Sequence, residues 1–201
     1  MITRLERLTS EADLARFSEG QAAAYRDRPL ANLHPIPVED LRASDVVMAL
    51  VEAGPDRRLL GGYVINHAPR RTLAALTPEV RERLARSVDL GDACEIVCVW
   101  KRRDLSRRAF AWRVWAKTVP QLLALGRRHI FGMAYRAHGL DTLYRVFAPT
   151  IVQDGAADND LRVFYYSRLA YVATASFGIA ALTGSSLLGA RTPGSRARRS
   201  P

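Results

Sequence analysis

Cys94-Glu-Ile-Val-Cys-Val-Trp100 passes without a spacer into Lys101-Arg-Arg-Asp-Leu-Ser-Arg-Arg108, and a long helical pattern then runs through Phe110, Val114, Leu122 and Leu125. β-Branched residues in a short apolar run predict a buried strand, and apolar residues three and four apart predict a helix. The strand therefore delivers the chain to a helix N-terminus crowded with arginines. Unpaired N–H groups and partial positive charge at such a terminus favour a phosphate or another anion. Guanidinium groups at Arg102, Arg103, Arg107 and Arg108 add bidentate donors for phosphate oxygens. Glu95 is the lone carboxylate in the strand. A phosphate cradle beside a carboxylate points to a transferase that uses a phosphorylated co-substrate.

The rest of the composition is compatible with that reading. The chain has 201 residues, is 48% hydrophobic and carries a formal net charge of +10. Length and composition predict one globular domain, residues 1–190, followed by a basic tail, 191–201, that lacks apolar content. Positive charge attracts anionic partners of any kind, whether nucleic acid, anionic lipid or a phosphorylated small molecule. Only Lys101 and Lys117 are lysines among the basic residues, a bias that high-GC bacterial codon usage also produces. The arginines are spread along the chain without a nucleic-acid-binding signature, so nucleic acid is not the expected partner.

Cys94 and Cys98 fall in one predicted strand, where four residues span about 13 Å, too far for a disulfide. Two reduced, buried cysteines fit a cytoplasmic protein, and no apolar signal-peptide core opens the chain. The four histidines lack metal-ligand spacing, so no metal is expected. Residues 169–190 carry no charge and are followed by arginines. That pattern admits a segment associated with the inner membrane through residues 169–199. The alternative is a terminal strand, Leu169–Thr174, followed by a weak docked helix.

Working outward, Ile2–Leu8 reads as a first strand, and Ser10 N-caps a helix through Leu14, Phe17 and Ala24. Residues 29–37 hold too many breakers for regular structure. Val46–Val51 and Leu59–Ile65, joined by a Gly54-Pro-Asp56 turn, read as an antiparallel hairpin. Gly61-Gly62 inside the second of these predicts a bulge or a close backbone approach. Thr77-Pro-Glu opens another helix. After the helix Ser106–Leu125 come a strand His129–Tyr135, a helix Leu140–Phe147, and strands around Arg162–Tyr166 and Leu169–Thr174. The expected architecture is α/β, a mixed and mostly antiparallel sheet with a central parallel strand–helix–strand crossover and helices on both faces. Alternation along the strand places Glu95 opposite Cys94 and Cys98.

This order of elements resembles the GCN5-related N-acetyltransferase (GNAT) superfamily from about Ile2 to Thr174. In that family the fourth strand feeds a helix that holds the pyrophosphate of coenzyme A, and acyl-CoA lies where the fourth and fifth strands splay. The family loop reads Arg/Gln-x-x-Gly-x-Gly/Ala. Here the matching stretch is Arg103-Asp-Leu-Ser106-Arg-Arg108-Ala109, so Ser106 and Arg108 stand where glycines are expected. The departure is similar to the acyl-homoserine lactone synthases and N-acyl amino acid synthases, GNAT-like enzymes with a divergent loop.

The resemblance implies an N-acyltransferase that moves an acyl group from a CoA or acyl-carrier-protein thioester to a small-molecule amine. Glu95 would act as general base, and Tyr144 would protonate the departing thiolate. Val97, Cys98 and Val99 would orient the carrier or polarise the carbonyl through backbone N–H groups, while Arg102, Arg103, Ser106, Arg107 and Arg108 hold the phosphates. An acidic acyl carrier protein would be steered by the basic surface. Two alternatives remain: a non-catalytic GNAT-like binding module, and a basic peripheral membrane protein. For Glu95 itself, a structural ion pair with an arginine competes with catalysis.

Overall fold

The computed structural model describes residues 2–26, 34–135, 149–156 and 159–173; in the long helix the side chains of residues 107, 108, 111, 112, 115 and 116 are not among those described. Seven strands form one sheet: β1 (Thr3–Leu8), β2 (Val46–Glu52), β3 (Leu59–Asn66), β4 (Ala93–Lys101), β5 (His129–Tyr135), β6 (Thr150–Ala156) and β7 (Asn159–Ser167). Their spatial order is β1-β2-β3-β4-β5-β7-β6. Every neighbouring pair is antiparallel except β4 and β5, which are parallel. The crossover between that pair is the long helix, α5 (Arg107–Leu125). The mixed sheet and its central crossover are those the sequence led us to expect.

Helices lie on both faces. On one side α1 (Glu11–Tyr25) and α2 (Val38–Arg42) cover Val47, Ala49, Val64, Val97 and Trp100. The same side carries α3 (Arg70–Ala74) and α4 (Pro78–Ser87), beneath which Ala93, Phe131, Leu161 and Val163 are buried. The opposite side is covered by α5 through Phe110, Val114, Val119 and Leu122. Local chemistry sets several boundaries. Ser10 accepts from the Asp13 N–H at 3.1 Å and Thr77 from the Val80 N–H at 3.4 Å, each satisfying one of the donors that a helix start leaves open.

The structure departs from the sequence reading in places. Residues 168–173 are helical (α6) rather than a terminal strand, and Tyr171 from this turn packs beside Tyr166 on the α5 face. Two five-residue helices, α2 and α3, occupy stretches to which the sequence pattern assigned no element; a single turn carries too few residues to display helical periodicity. Among the described residues, no helix is long and apolar enough to cross a membrane; residues 174–199 of the segment read as membrane-associated lie outside them. The expected helix Leu140–Phe147 and the tail both lie outside the described residues.

Strand β3 is buried over its entire length, and its paired glycines explain how two helices press on it. A Cβ added at Gly61 would come within 2.6 Å of the Phe110 ring of α5, and one at Gly62 within 2.5 Å of the Phe17 ring of α1. Each glycine admits one aromatic ring, on opposite faces of the same strand.

Candidate functional site

Strands β4 and β5 stay paired over only three positions, Ala93↔His129, Cys94↔Ile130 and Glu95↔Phe131. Beyond Glu95 no pairing joins them, which leaves a gap between the C-terminal half of β4 and β5. On its other side β4 remains bonded to β3, but with an interruption: Gly62 pairs with Trp100 and Val64 with Val97, so Tyr63 faces two residues, Cys98 and Val99. Cys98 takes a φ of 56°. This is a β-bulge, an extra residue that bends the strand and re-aims backbone groups. Of the three residues expected to present backbone N–H groups, Cys98 and Val99 form the bulge and Val97, paired with Val64, leads into it.

The bulge also corrects the expected facing of Cys98. Cys94 and Ile96 pack on the α5 side, but Cys98 packs with Val97 on the α1 side, and Val99 returns to the α5 side. One inserted residue reverses the period-two alternation, which brings Cys98 to the same side as Glu95. Burial pushes the Cys94 thiol up to about 12 and the Cys98 thiol up to about 11, so both are neutral thiols near pH 7. A left-handed φ is costly for a branched side chain but natural for glycine. Cys98→Gly is therefore expected to hold stability within about 0.5 kcal/mol, and Cys98→Val to lose about 2 kcal/mol. Urea titration of the two variants checks the difference.

Glu95 sits at the vertex of the gap, fully buried. Its partners are not arginine side chains. One carboxylate oxygen accepts from Asn66 Nδ2 at 2.7 Å and from the Arg71 N–H at 3.1 Å. The other accepts from the Thr72 N–H at 2.8 Å and Thr72 Oγ1 at 2.6 Å. A carboxylate has about four lone-pair positions, and four donors fill them. Two of those donors are N–H groups of the first turn of α3, whose N-cap position is Pro69 and offers no side-chain acceptor. Glu95 supplies the missing cap from the neighbouring strand and adds negative charge at the helix N-terminus.

Helix α3 in turn carries Arg71 over this face. Its guanidinium pairs with Asp40 of α2, and it stands near enough to the Cys98 thiol to draw that group's ionisation downward against burial. Gln21 of α1, buried, accepts from the Ile36 N–H at 2.7 Å and donates to the Tyr25 hydroxyl at 2.9 Å. Gln21, Asn66, Arg71 and Thr72 were not legible as site residues. They come from three separate elements, and no spacing connects them in the sequence.

At the open end of the gap, Arg102 and Arg103 follow β4, and Ser106 caps α5 by accepting from the Ala109 N–H at 3.1 Å. The first turn of α5 contains no acidic residue, and helix geometry leaves the Arg107 and Arg108 N–H groups without intrahelical acceptors. The nearby Asp104 is neutralised by Arg102 and by Arg58 at 2.9 Å, contacts that hold its carboxyl below the usual range. An anion approaching this terminus meets donors and positive charge. Tyr144 lies outside the described residues.

No family model matches the sequence, and no curated protein is similar to it. Solved structures are similar in fold. FeeM, an N-acyl amino acid synthase from uncultured soil microbes, superposes with a TM-score of 0.65 at 12% identity, covering 88% of this chain and 98% of its own. BjaI, a CoA-dependent acyl-homoserine lactone synthase, gives 0.62 at 12% identity, with 89% and 90% covered. YncA, a putative acetyltransferase from Salmonella typhimurium solved with acetyl-CoA, gives 0.54 at 12% identity, with 84% and 95% covered. The chain shares the GNAT-like fold with these acyltransferases.

Proposed function

We propose that this GNAT-like chain transfers an acyl group from a CoA or acyl-carrier-protein thioester to the amine of a small molecule. The observation that carries the reading is the gap between β4 and β5, bordered by the Cys98 bulge and opening toward the N-terminus of α5. In a parallel pair the separation of two strands exposes backbone donors and acceptors that a sheet would otherwise pair, and an extended thioester arm can take their place.

The residues present suit such a co-substrate. Arg102, Arg103, Arg107 and Arg108, together with the α5 terminus capped by Ser106, would hold phosphate groups. N–H groups from Val97, Cys98 and Val99 would polarise the thioester carbonyl as negative charge develops on its oxygen. The amine attacks that carbon; the C–N bond forms, the C–S bond breaks, and the thiolate takes a proton from Tyr144. The proton shed by the amine leaves to water, and solvent returns one to Tyr144, so that amide and free thiol are the net products. The acceptor is an amine such as that of an amino acid, in keeping with FeeM, which is an N-acyl amino acid synthase.

For Glu95 we propose the role of anchor in place of general base. A base must keep a lone pair open to the substrate, and four donors already engage this carboxylate. Its function is to hold α3, and with it Arg71, against the vertex of the gap. The saturation of Glu95 is also what favours the second reading, a GNAT-like module that binds a thioester without turning it over.

Calorimetry with CoA tests the donor site. Replacing Arg103 and Arg107 together by alanine is expected to weaken binding about thirtyfold, as for the loss of charge-assisted hydrogen bonds worth roughly 2 kcal/mol. Unchanged affinity would remove the phosphate role. Supplying octanoyl-CoA and a panel of amino acids, with mass detection of the N-acyl product, then separates the enzyme from the binding module.

A further inference from the structure

A second cavity lies on the α5 face, and none of its lining residues belongs to β4 or β5. It opens between β1, β2 and β3 and the C-terminal half of α5, with a volume of about 280 Å³. Val46, Met48, Ile65 and Leu125 form its apolar walls, and Arg7 and Gln121 are its polar members. At about 30 Å³ per water the space equals roughly nine waters, just below the range of drug-sized pockets. A ligand there is small, with an apolar body.

The two polar members have one character. Arg7 is exposed and uses one guanidinium nitrogen to donate to the Asp45 carbonyl at 2.8 Å; its fork has five N–H donors in all. Gln121 is oriented by Tyr63. The Tyr63 hydroxyl, buried and pushed up to about 12, donates to Gln121 Oε1 at 3.2 Å. That bond engages one of the two lone pairs of the amide oxygen and orients the amide, whose NH₂ points its donors away from Tyr63. Among the described residues, no carboxylate lines the cavity. Apolar walls beside a cation and an amide donor suit a chain that ends in an anion, and they oppose one that ends in an amine.

We propose that this cavity binds an alkyl carboxylate, with the chain against Met48, Ile65 and Leu125 and the carboxylate at Arg7 and Gln121. The guanidinium fork matches a carboxylate in bidentate fashion. The site is distinct from the β4–β5 gap and does not depend on the proposed acyl transfer, so its test needs no turnover.

The test is an NMR titration of the full chain, with labelled Met and Ile methyl groups, against octanoate and octylamine. Octanoate is expected to shift the Met48 and Ile65 methyls saturably, while those of Ile96 and Ile130 beside the gap respond less. Octylamine is expected to leave Met48 unmoved. Arg7→Gln, at an exposed position, should weaken octanoate binding about tenfold, the effect of losing one charged hydrogen-bonding group. Gln121→Leu should weaken it in the same direction without narrowing the walls. The proposal is overturned by shifts confined to Ile96 and Ile130, by equal binding of octylamine, by an Arg7→Gln affinity equal to that of the parent, or by no saturable shift at Met48.

Discussion

Glu95→Gln is expected to lose about 2–4 kcal/mol of stability, which for a chain of this size lowers Tm by roughly 5–15 °C. The reason is that all four partners of Glu95 are donors. Whichever oxygen the amide nitrogen replaces, its own N–H₂ faces a main-chain N–H, that of Arg71 on one side or of Thr72 on the other. The Thr72 hydroxyl can reverse and accept, but a peptide N–H cannot. Thr72→Val, which removes a single donor and leaves the carboxylate three, should lose only about 1 kcal/mol. Thermal melts of both variants, with CoA affinity and initial rate measured on the folded fraction, decide between the two roles of Glu95. The anchor role predicts a large drop in Tm with donor affinity retained. An unchanged Tm joined to a rate loss of about a hundredfold or more would instead make Glu95 the base.

Gly62→Ala should be nearly as damaging, at about 3 kcal/mol. The added Cβ would meet the Met48 carbonyl oxygen of β2 at 2.5 Å as well as the Phe17 ring. A side chain can rotate away from a methyl group; a carbonyl inside a buried sheet cannot. Phe17 is itself wholly buried and packs edge-on to Trp100, with ring centroids 5.5 Å apart, so displacing it disturbs β4 beside the bulge. Gly54→Ala is the control, because nothing lies within 4 Å of its Cβ position, and it should melt within about a degree of the parent, as surface changes do. Equal melting temperatures for the two variants would show that α1 can lift away from β3 without penalty.

Much of the architecture was legible because the strongly patterned elements were also the ones that tertiary packing preserved. The strand His129–Tyr135 appears with the boundaries read from its pattern, and the helix read from Ser106 to Leu125 differs only in that Ser106 is its cap. The misreadings had specific causes. Residues 168–173 carry Leu169, Ala170, Tyr171 and Val172, an apolar run that suits a strand or a helix equally by pattern. The finished sheet decides for helix, since β7 ends at Ser167 and the chain leaves the sheet there. Cys98 was assigned to the wrong face because strict alternation holds only in an unbulged strand.

By itself the sequence determined the five strands from β1 to β5 with the longer helices α1, α4 and α5, the hairpin, the crossover and the arginine-rich entry to α5, but not the strand β6 (Thr150–Ala156). Each of these is written in a local periodicity, a cap or a run of charge, all of which act within a few residues of one another. Tertiary structure alone decided the opening between β4 and β5, the positive φ at Cys98, the rings that fill the places of two missing side chains on β3, and the partners of Glu95. These depend on residues from Phe17 to Phe131 meeting in space, and hydrogen bonds act over about 3 Å whatever the distance along the chain. A carboxylate in an apolar strand announces that donors must await it. Which donors, and whether they leave it free to take a proton, is fixed only when α3 folds down upon it.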